Sequence, residues 1–353
     1  MMTESPANIT TDTRAVPALT REAGETPEAA RRQIARHAEA FAALGARLRR
    51  APPRYVVTCA RGSSDHAATY GKFLIETTLG MPVTSVGPGI ASVYDAPLDL
   101  RDALFITVSQ SGRSPDLLSL TEKARAGGAL VLGFVNDETS PLAALCDISL
   151  PLTAGPEVSV AATKSHILSA LAFLSLTAHW SQSAPLKAAI DALPDALTAS
   201  RALDWSPALQ SLLLAPGLFV VGRGPGLGIA QEIALKFKET CCLHGEAFSI
   251  AEVIHGPLTM IGPRLPVLAL GQEDASAEST RRAVARIAGQ GGLVWSVLNA
   301  PGARPLPIVP GLPPEIAPLC QIQSFYMAVA GLAQARGFNP DVPNHLAKVT
   351  ETV

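Results

Sequence analysis

The sequence predicts an α/β protein of two tandem, similar domains, each a mainly parallel sheet flanked by helices and doubly wound. Three observations carry that prediction. Short apolar runs alternate with helix-period stretches along the chain, and the alternation restarts near residue 217. In addition, an apolar strand over 104–108 opens into a hydroxyl-rich turn, Ser109-Gln110-Ser111-Gly112, that leads directly into a helix.

Taken in order, residues 1–25 are polar, contain Pro6 and Pro17, and read as a loose arm. Thr26-Pro27-Glu28 then supplies a cap, a first-position proline and a first-turn acid, so a helix runs toward Arg50 until Pro52-Pro53 stops it. A strand over 55–58, a turn over 59–64 and a helix over 65–78 follow. Further strands are predicted over 82–86, 104–109, 130–135 and 147–152, before a long helix over 164–180.

The second half opens with a strand over 218–221, the turn Gly222-Arg223-Gly224-Pro225-Gly226 and a helix over 227–239. Sliding the first unit by 164 residues puts Val57 on Val221, Gly62 on Gly226, Lys72 on Lys236 and Phe73 on Phe237, an internal repeat. Strands over 266–270 and 293–298 complete that half. The boundary falls in the Pro-containing stretch 181–207, part of which is compatible with helix. The domains are therefore read as 26–195 and 205–340, followed by a polar tail over 341–353.

Composition excludes several classes. The 353 residues are enough for two cores, and 48% are apolar against 16% charged. A net charge of −2 carries no basic footprint for nucleic acid, so an anionic ligand must be held by local groups. The five cysteines are odd in number and follow no metal or disulfide spacing, which reads as reduced thiols in a cytoplasmic protein without a metal site. The first thirteen residues lack the basic and apolar regions of a signal peptide. The apolar helix over 167–180 is too short to span a bilayer, so no membrane association is expected.

The candidate chemistry starts at the turn after residue 108. Ser109, Gln110, Ser111, Gly112 and Ser114 sit at the carboxyl end of a strand, with Pro115 and Asp116 opening a helix. Backbone N–H groups, small hydroxyls and a helix N-terminus converging there suit a phosphate. The turn is neither a Walker loop nor a dinucleotide fingerprint, and by itself it fits an ordinary connection equally well.

In the second half Glu239, His244, Glu246, Glu252 and His255 lie close in sequence. Glu239 falls at a helix end, where partial withdrawal from water makes a carboxylate a usable base; a solvated helix end is the alternative. His255 precedes Gly256-Pro257, which would present the imidazole at a loop, or leave it as a packed loop histidine. Lys348 near the C-terminus is either a solvated charge or, if the tail folds over the site, an amine able to meet a carbonyl. The stretch from Glu157 to Lys164 reads either as a cap for the next helix, with Thr163 at the N-cap, or as a second ligand-contacting turn formed by Val160 and Ala161.

Together these pieces resemble the sugar isomerase (SIS) family, and within it the isomerase half of glutamine–fructose-6-phosphate aminotransferase (glucosamine-6-phosphate synthase). The resemblance runs from about residue 30 to the end. It rests on Arg61-Gly-Ser-Ser64, Ser109-Gln-Ser-Gly112, Val160-Ala-Ala-Thr-Lys164, Lys236-Phe-Lys-Glu239 through His255-Gly-Pro-Leu258, and Leu346-Ala-Lys348. It implies tandem SIS domains of flavodoxin-like architecture, with no cofactor. It also implies that Ser109, Gln110, Ser111, Gly112 and Ser114 form the phosphate turn, while Ser64 and the Val160–Ala161 backbone contact the sugar. His255 would open the ring from a neighbouring subunit of a homodimer with sites at its interface. Glu239 would move a proton between C1 and C2, and Lys348 would meet the open-chain carbonyl beneath a tail that closes over the site.

Two departures bear on the substrate. Arg113 stands where the family's turn usually has an acid, a place to add a cationic contact, and Ala162 replaces a sugar-contacting Ser. The chain opens Met-Met-Thr and its first cysteine is Cys59, so no glutaminase domain is expected and net glucosamine phosphate synthesis is not implied. The resemblance therefore points to an isomerase-only enzyme that converts glucosamine 6-phosphate to fructose 6-phosphate and ammonia. A phosphosugar isomerase or deglycase on another amino-sugar or sugar–amino-acid phosphate would use the same residues. A non-catalytic sugar-phosphate sensor is the reading from a different class.

Overall fold

The run Ala103–Ser109 is buried at every residue and forms the middle strand of a five-stranded parallel sheet. The computed structural model describes residues 16–348. The first half contains α1 (Ala18–Gly24), α2 (Thr26–Arg50), β1 (Tyr55–Cys59), α3 (Ser63–Leu79), β2 (Val83–Ser85), α4 (Gly89–Ser92) and β3 (Ala103–Ser109). It continues with α5 (Pro115–Ala126), β4 (Leu130–Val135), α6 (Pro141–Leu145), β5 (Ile148–Ser149), α7 (Lys164–Ser181) and α8 (Ala184–Ser200). The second half contains α9 (Ser206–Gln210), β6 (Leu218–Gly222), α10 (Pro225–Cys241), β7 (Gly245–Ser249), α11 (Ile250–His255) and β8 (Val267–Ala269). It ends with α12 (Ala277–Gly289), β9 (Val294–Ser296), β10 (Arg304–Pro305) and α13 (Ala317–Ala335).

The two sheets share one topology. The first runs β2-β1-β3-β4-β5 and the second β7-β6-β8-β9-β10, with every neighbouring pair parallel. Both are α/β sheets with two covered faces, as parallel strands require. One apolar cluster fills the space between the sheets and runs through both halves, from Leu19 to Ala333. Smaller clusters cover the outer faces, around Phe105 with Leu117 and Leu120, and around Phe219 with Val284. The α7 helix is apolar nearly all round and is accordingly buried nearly all round, against α2, α3 and α8.

The internal repeat is real, but its offset is not 164. Gly62 and Gly224 cap α3 and α10 with nearly the same backbone, φ 53° and ψ −129° against φ 56° and ψ −133°. The offset is thus 224 − 62 = 162, and it also aligns Arg61 with Arg223. The two-residue slip rotated one helix against the other. It matched Lys72, whose side chain is 42% exposed, with Lys236, whose side chain is fully buried. The equivalent helices α3 and α10 cross where a Cβ on Gly228 would lie 2.5 Å from the His66 carbonyl oxygen.

Two further expectations change. Of the expected loose arm over 1–25, residues 1–15 lie outside the described residues, and Ala18–Gly24 is instead a packed helix, α1. Leu19, Glu22 and Ala23 are buried at i, i+3, i+4 spacing, and α1 packs on α13. The boundary stretch 181–207 is mostly α8, which starts where Ser183 Oγ accepts from Leu186 N at 3.3 Å. The strand β7, which carries Glu246, was not anticipated; as a half-exposed edge strand it has no apolar run to mark it. Among the described residues no helix is long and apolar enough to cross a membrane.

Candidate active site

The carboxyl ends of β1 and β3 meet the N-terminal loop of α7, the C-terminal end of α10 and the chain's tail around a cavity of about 330 Å³. Ligands of open parallel sheets bind at this end of the strands. Ser64, Ser109, Gln110, Ser111, Ser114, Val160, Glu239 and Lys348 all line it. The residues brought together span almost the whole chain.

The turn after β3 is built by its own side chains. Ser109 is buried, and its Oγ accepts from Gly112 N at 2.9 Å, which leaves its hydroxyl proton free to be donated. Gly112 has φ 63°, and a Cβ there would fall 2.1 Å from Ser140 Oγ. Gly112 therefore makes the turn possible from behind and is not on the cavity wall. Ser114 caps α5 with an extended backbone but spends no side-chain hydrogen bond on the cap, and Pro115 follows at the first helical position.

Glu239 stands in the last turn of α10 and is ion-paired with Lys236 one turn earlier. Lys236 is completely buried and also donates to Ser63 Oγ at 3.2 Å and to Glu232 Oε1 at 3.3 Å. Burial opposes its charge, but Glu232 and Glu239 raise its pKa above the ordinary lysine value. Burial likewise works to raise Glu232, yet the Lys236 ammonium, with His166 and His66, holds that carboxyl well below the usual range. Glu232 also takes hydrogen bonds from His66 Nδ1 at 2.9 Å and Tyr326 Oη at 3.1 Å.

The tail contributes Leu346, Ala347 and Lys348 to the wall. Lys348 Nζ donates to Ser159 O at 2.6 Å and lies 3.3 Å from Glu157 Oε2. The buried Glu157 carboxylate accepts from Thr163 N at 3.0 Å, Ser165 N at 3.2 Å and Ser165 Oγ at 2.6 Å. Burial would raise its pKa, but Lys348 and these donors bring it below the ordinary value. Glu22 of α1 receives Val158 N at 2.6 Å and Ser159 N at 3.2 Å. Asp341 of the tail caps α1 in turn, accepting Ala18 N at 2.7 Å and Leu19 N at 2.8 Å. Helix α1, the 157–163 loop and the tail thus form a closed ring of contacts.

Several anticipated residues lie elsewhere. His255 ends α11, exposed and outside the cavity, so a single chain does not bring it to Glu239. Glu246 and Glu252 are exposed and also outside. Ala161 is fully buried and off the wall, where Ala162 appears beside Val160. Arg113 does not reach the cavity; its Nη2 pairs with Asp137 Oδ2 at 2.9 Å across the surface. Arg61, Ser63, Glu157, Glu232 and Lys236 were given no role from sequence. The i, i+4 spacing of Glu232 and Lys236 and the i, i+3 spacing of Lys236 and Glu239 were legible signals of a shared helix face.

The SIS domain model matches residues 51–179 and 212–302. The glutamine–fructose-6-phosphate aminotransferase (isomerizing) of Symbiobacterium thermophilum is 31% identical over 315 residues, 84% of this chain and 51% of that protein. Its counterpart in Halobacterium salinarum is 32% identical over 311 residues, 83% of this chain and 51% of that protein. The chain spans about half the length of these curated relatives. A crystal structure of a provisionally assigned phosphosugar isomerase from Silicibacter pomeroyi DSS-3 superposes with a TM-score of 0.88 at 42% identity, covering 92% of this chain and 100% of that one. The glucosamine-6-phosphate deaminase of Thermotoga maritima shares the fold, with a TM-score of 0.74 at 19% identity over 95% of this chain and 100% of that one.

Proposed function

Because the chain belongs to the SIS domain family, we propose that its cavity binds a phosphorylated amino sugar and converts glucosamine 6-phosphate to fructose 6-phosphate and ammonia. One observation carries the reading: a carboxylate, Glu239, and an amine, Lys348, line the same cavity as a hydroxyl-rich turn at a helix N-terminus. A pure binding module needs the turn but not the proton-transfer pair.

In this reading the phosphate rests on Ser109, Gln110, Ser111 and Ser114, shaped by Gly112, where donors and the α5 dipole favour an anion. Ser64 and Val160, with Ala162 beside it in place of the buried Ala161, orient the sugar. His255 of the partner subunit in a homodimer opens the ring, consistent with its exposure at the end of α11. Lys348 then faces the C1 carbonyl of the open chain. Glu239 removes the C2 proton, giving an enaminol, and returns the proton to C1. The product is an imine at C2; water adds there, ammonia leaves, and the ketone of fructose 6-phosphate remains. Lys236 keeps the Glu239 carboxylate aimed at the sugar without joining the transfer.

The test is purified protein incubated with glucosamine 6-phosphate, with both products quantified. Ammonia and fructose 6-phosphate in equal amounts are expected. Interconversion of an aldose and ketose phosphate without ammonia would replace the deaminase by an isomerase. Tight binding of the sugar phosphate with no turnover would make the protein a sensor.

A further inference from the structure

We infer that Arg61 is the cavity's phosphate-binding cation, held in place for that role by Asp116. The inference rests on the sugar-phosphate reading of the cavity and assigns the charge partner that the hydroxyl turn lacks.

Asp116 is the second residue of α5, and its side chain is fully buried. One of its oxygens accepts Leu117 N at 2.8 Å. The other receives Arg61 Nε at 2.9 Å and Nη2 at 2.7 Å. These contacts fix the guanidinium at the N-terminal turn of α5, on the wall of the cavity that Ser111 and Ser114 also line. Even so, 52% of the Arg61 side chain remains exposed, on the wall of the same cavity. A guanidinium has five N–H donors, and the Asp116 contacts use two of them. The donors that remain, on Nη1 and Nη2, match the oxygens of a phosphate.

The other nearby cations are committed. Arg113 pairs outward with Asp137, Lys348 is held by Glu157 and Ser159, and Lys236 is buried between Glu232 and Glu239.

The second half supplies an internal comparison. Arg223, equivalent to Arg61, reaches Ser279 Oγ at 3.1 Å instead of a buried acid. The second residue of α12, Glu278, pairs with Arg282 of its own helix on the surface. The neighbouring Gln272 side chain donates to Arg223 O at 3.1 Å and lies against the turn, where a Cβ on Gly226 would fall 3.0 Å from its Oε1. The repeated Arg-Gly turn therefore presents a charge to a cavity only where a buried acid at the start of the following helix holds the arginine.

The experiment compares wild type with R61A, R61K and D116N, using glucosamine 6-phosphate as substrate and inorganic phosphate as competitive inhibitor. Loss of a charge-assisted contact should raise the KM and the phosphate inhibition constant of R61A roughly 10- to 100-fold, with kcat within about threefold. R61K should recover part of the loss, and D116N should fall between. Unchanged KM and phosphate inhibition in R61A, or equal loss for unphosphorylated glucosamine binding, would overturn the assignment. If R61A does not fold, the phosphate inhibition constant of the uncharged R61Q decides: a value within twofold of wild type overturns it. Wild-type protein that binds no phosphorylated sugar would overturn the reading of the cavity itself, a different result.

Discussion

Glu239 owes its position to two neighbours on its own helix. Lys236 grips it from one turn back, and Glu232 holds Lys236 from a turn further, with both inner side chains fully buried. A buried pair of this kind stabilises little by itself but costs much when broken. Lys236→Met should therefore lose about 3–5 kcal/mol in urea unfolding, because Glu232 is left buried without its ammonium partner. Glu239→Gln, in contrast, should fold normally while kcat falls by roughly 10²–10⁴ and KM changes little, as measured by steady-state kinetics. Residual turnover with lost binding would remove Glu239 from the proton transfer. The grip itself was legible in the i, i+3 and i, i+4 spacing. That Glu239, and not Glu246 or Glu252, meets the cavity was what the family resemblance implied; the local pattern of three nearby carboxylates did not by itself separate them.

Among elements, α1 matters beyond its length. Seven residues bury one face on α13 and offer Glu22 to the loop that lines the cavity, while Asp341 of the tail caps their first turn. A weakened α1 should loosen that loop and Lys348 together. Leu19 is fully buried, so Leu19→Ala should cost about 2–5 kcal/mol in denaturant unfolding. Glu22→Gln should leave most of the stability intact and raise KM, with faster hydrogen exchange over 157–163 and the tail. Unaltered exchange there would separate α1 from the site. Sequence hid this element because a seven-residue helix after a proline resembles a polar arm, and its acid meets its partners far along the chain: the Glu22–Val158 contact spans 136 residues.

At the scale of the molecule, a single apolar cluster joins both halves, so the cavity between them is held by the main core. Buried histidines make that core pH-sensitive. Burial lowers the pKa of His166 and of His37 below the ordinary imidazole value of about 6.5. On acidification below about 6.5 the unfolded chain takes up these protons before the folded one does, so stability falls with pH through that window. The depressed Glu157 and Glu232 carboxyls keep their contribution until the pH drops below the usual carboxylate range. Urea midpoints should thus fall from pH 7.5 to pH 5, and a flat profile would contradict the burial of these imidazoles. The proposed exchange of His255 between subunits has its own check. Mixing the inactive variants Glu239→Gln and His255→Asn should restore activity in heterodimers; no recovery would place ring opening within one chain.

The alternation of apolar strands with helices determined the α/β class, because a parallel sheet must be covered on both faces and its connections must cross over. The hydroxyl turn and the carboxylate–lysine spacing on α10 were equally local, and the chain carried them openly. Tertiary structure alone decided the rest. It turned Arg113 out to Asp137 and let Arg61 in, left His255 on the surface, and brought Lys348 onto Glu157 across 191 residues. Those outcomes depend on which charges become buried together, and burial is a property of the packed chain, not of neighbouring residues.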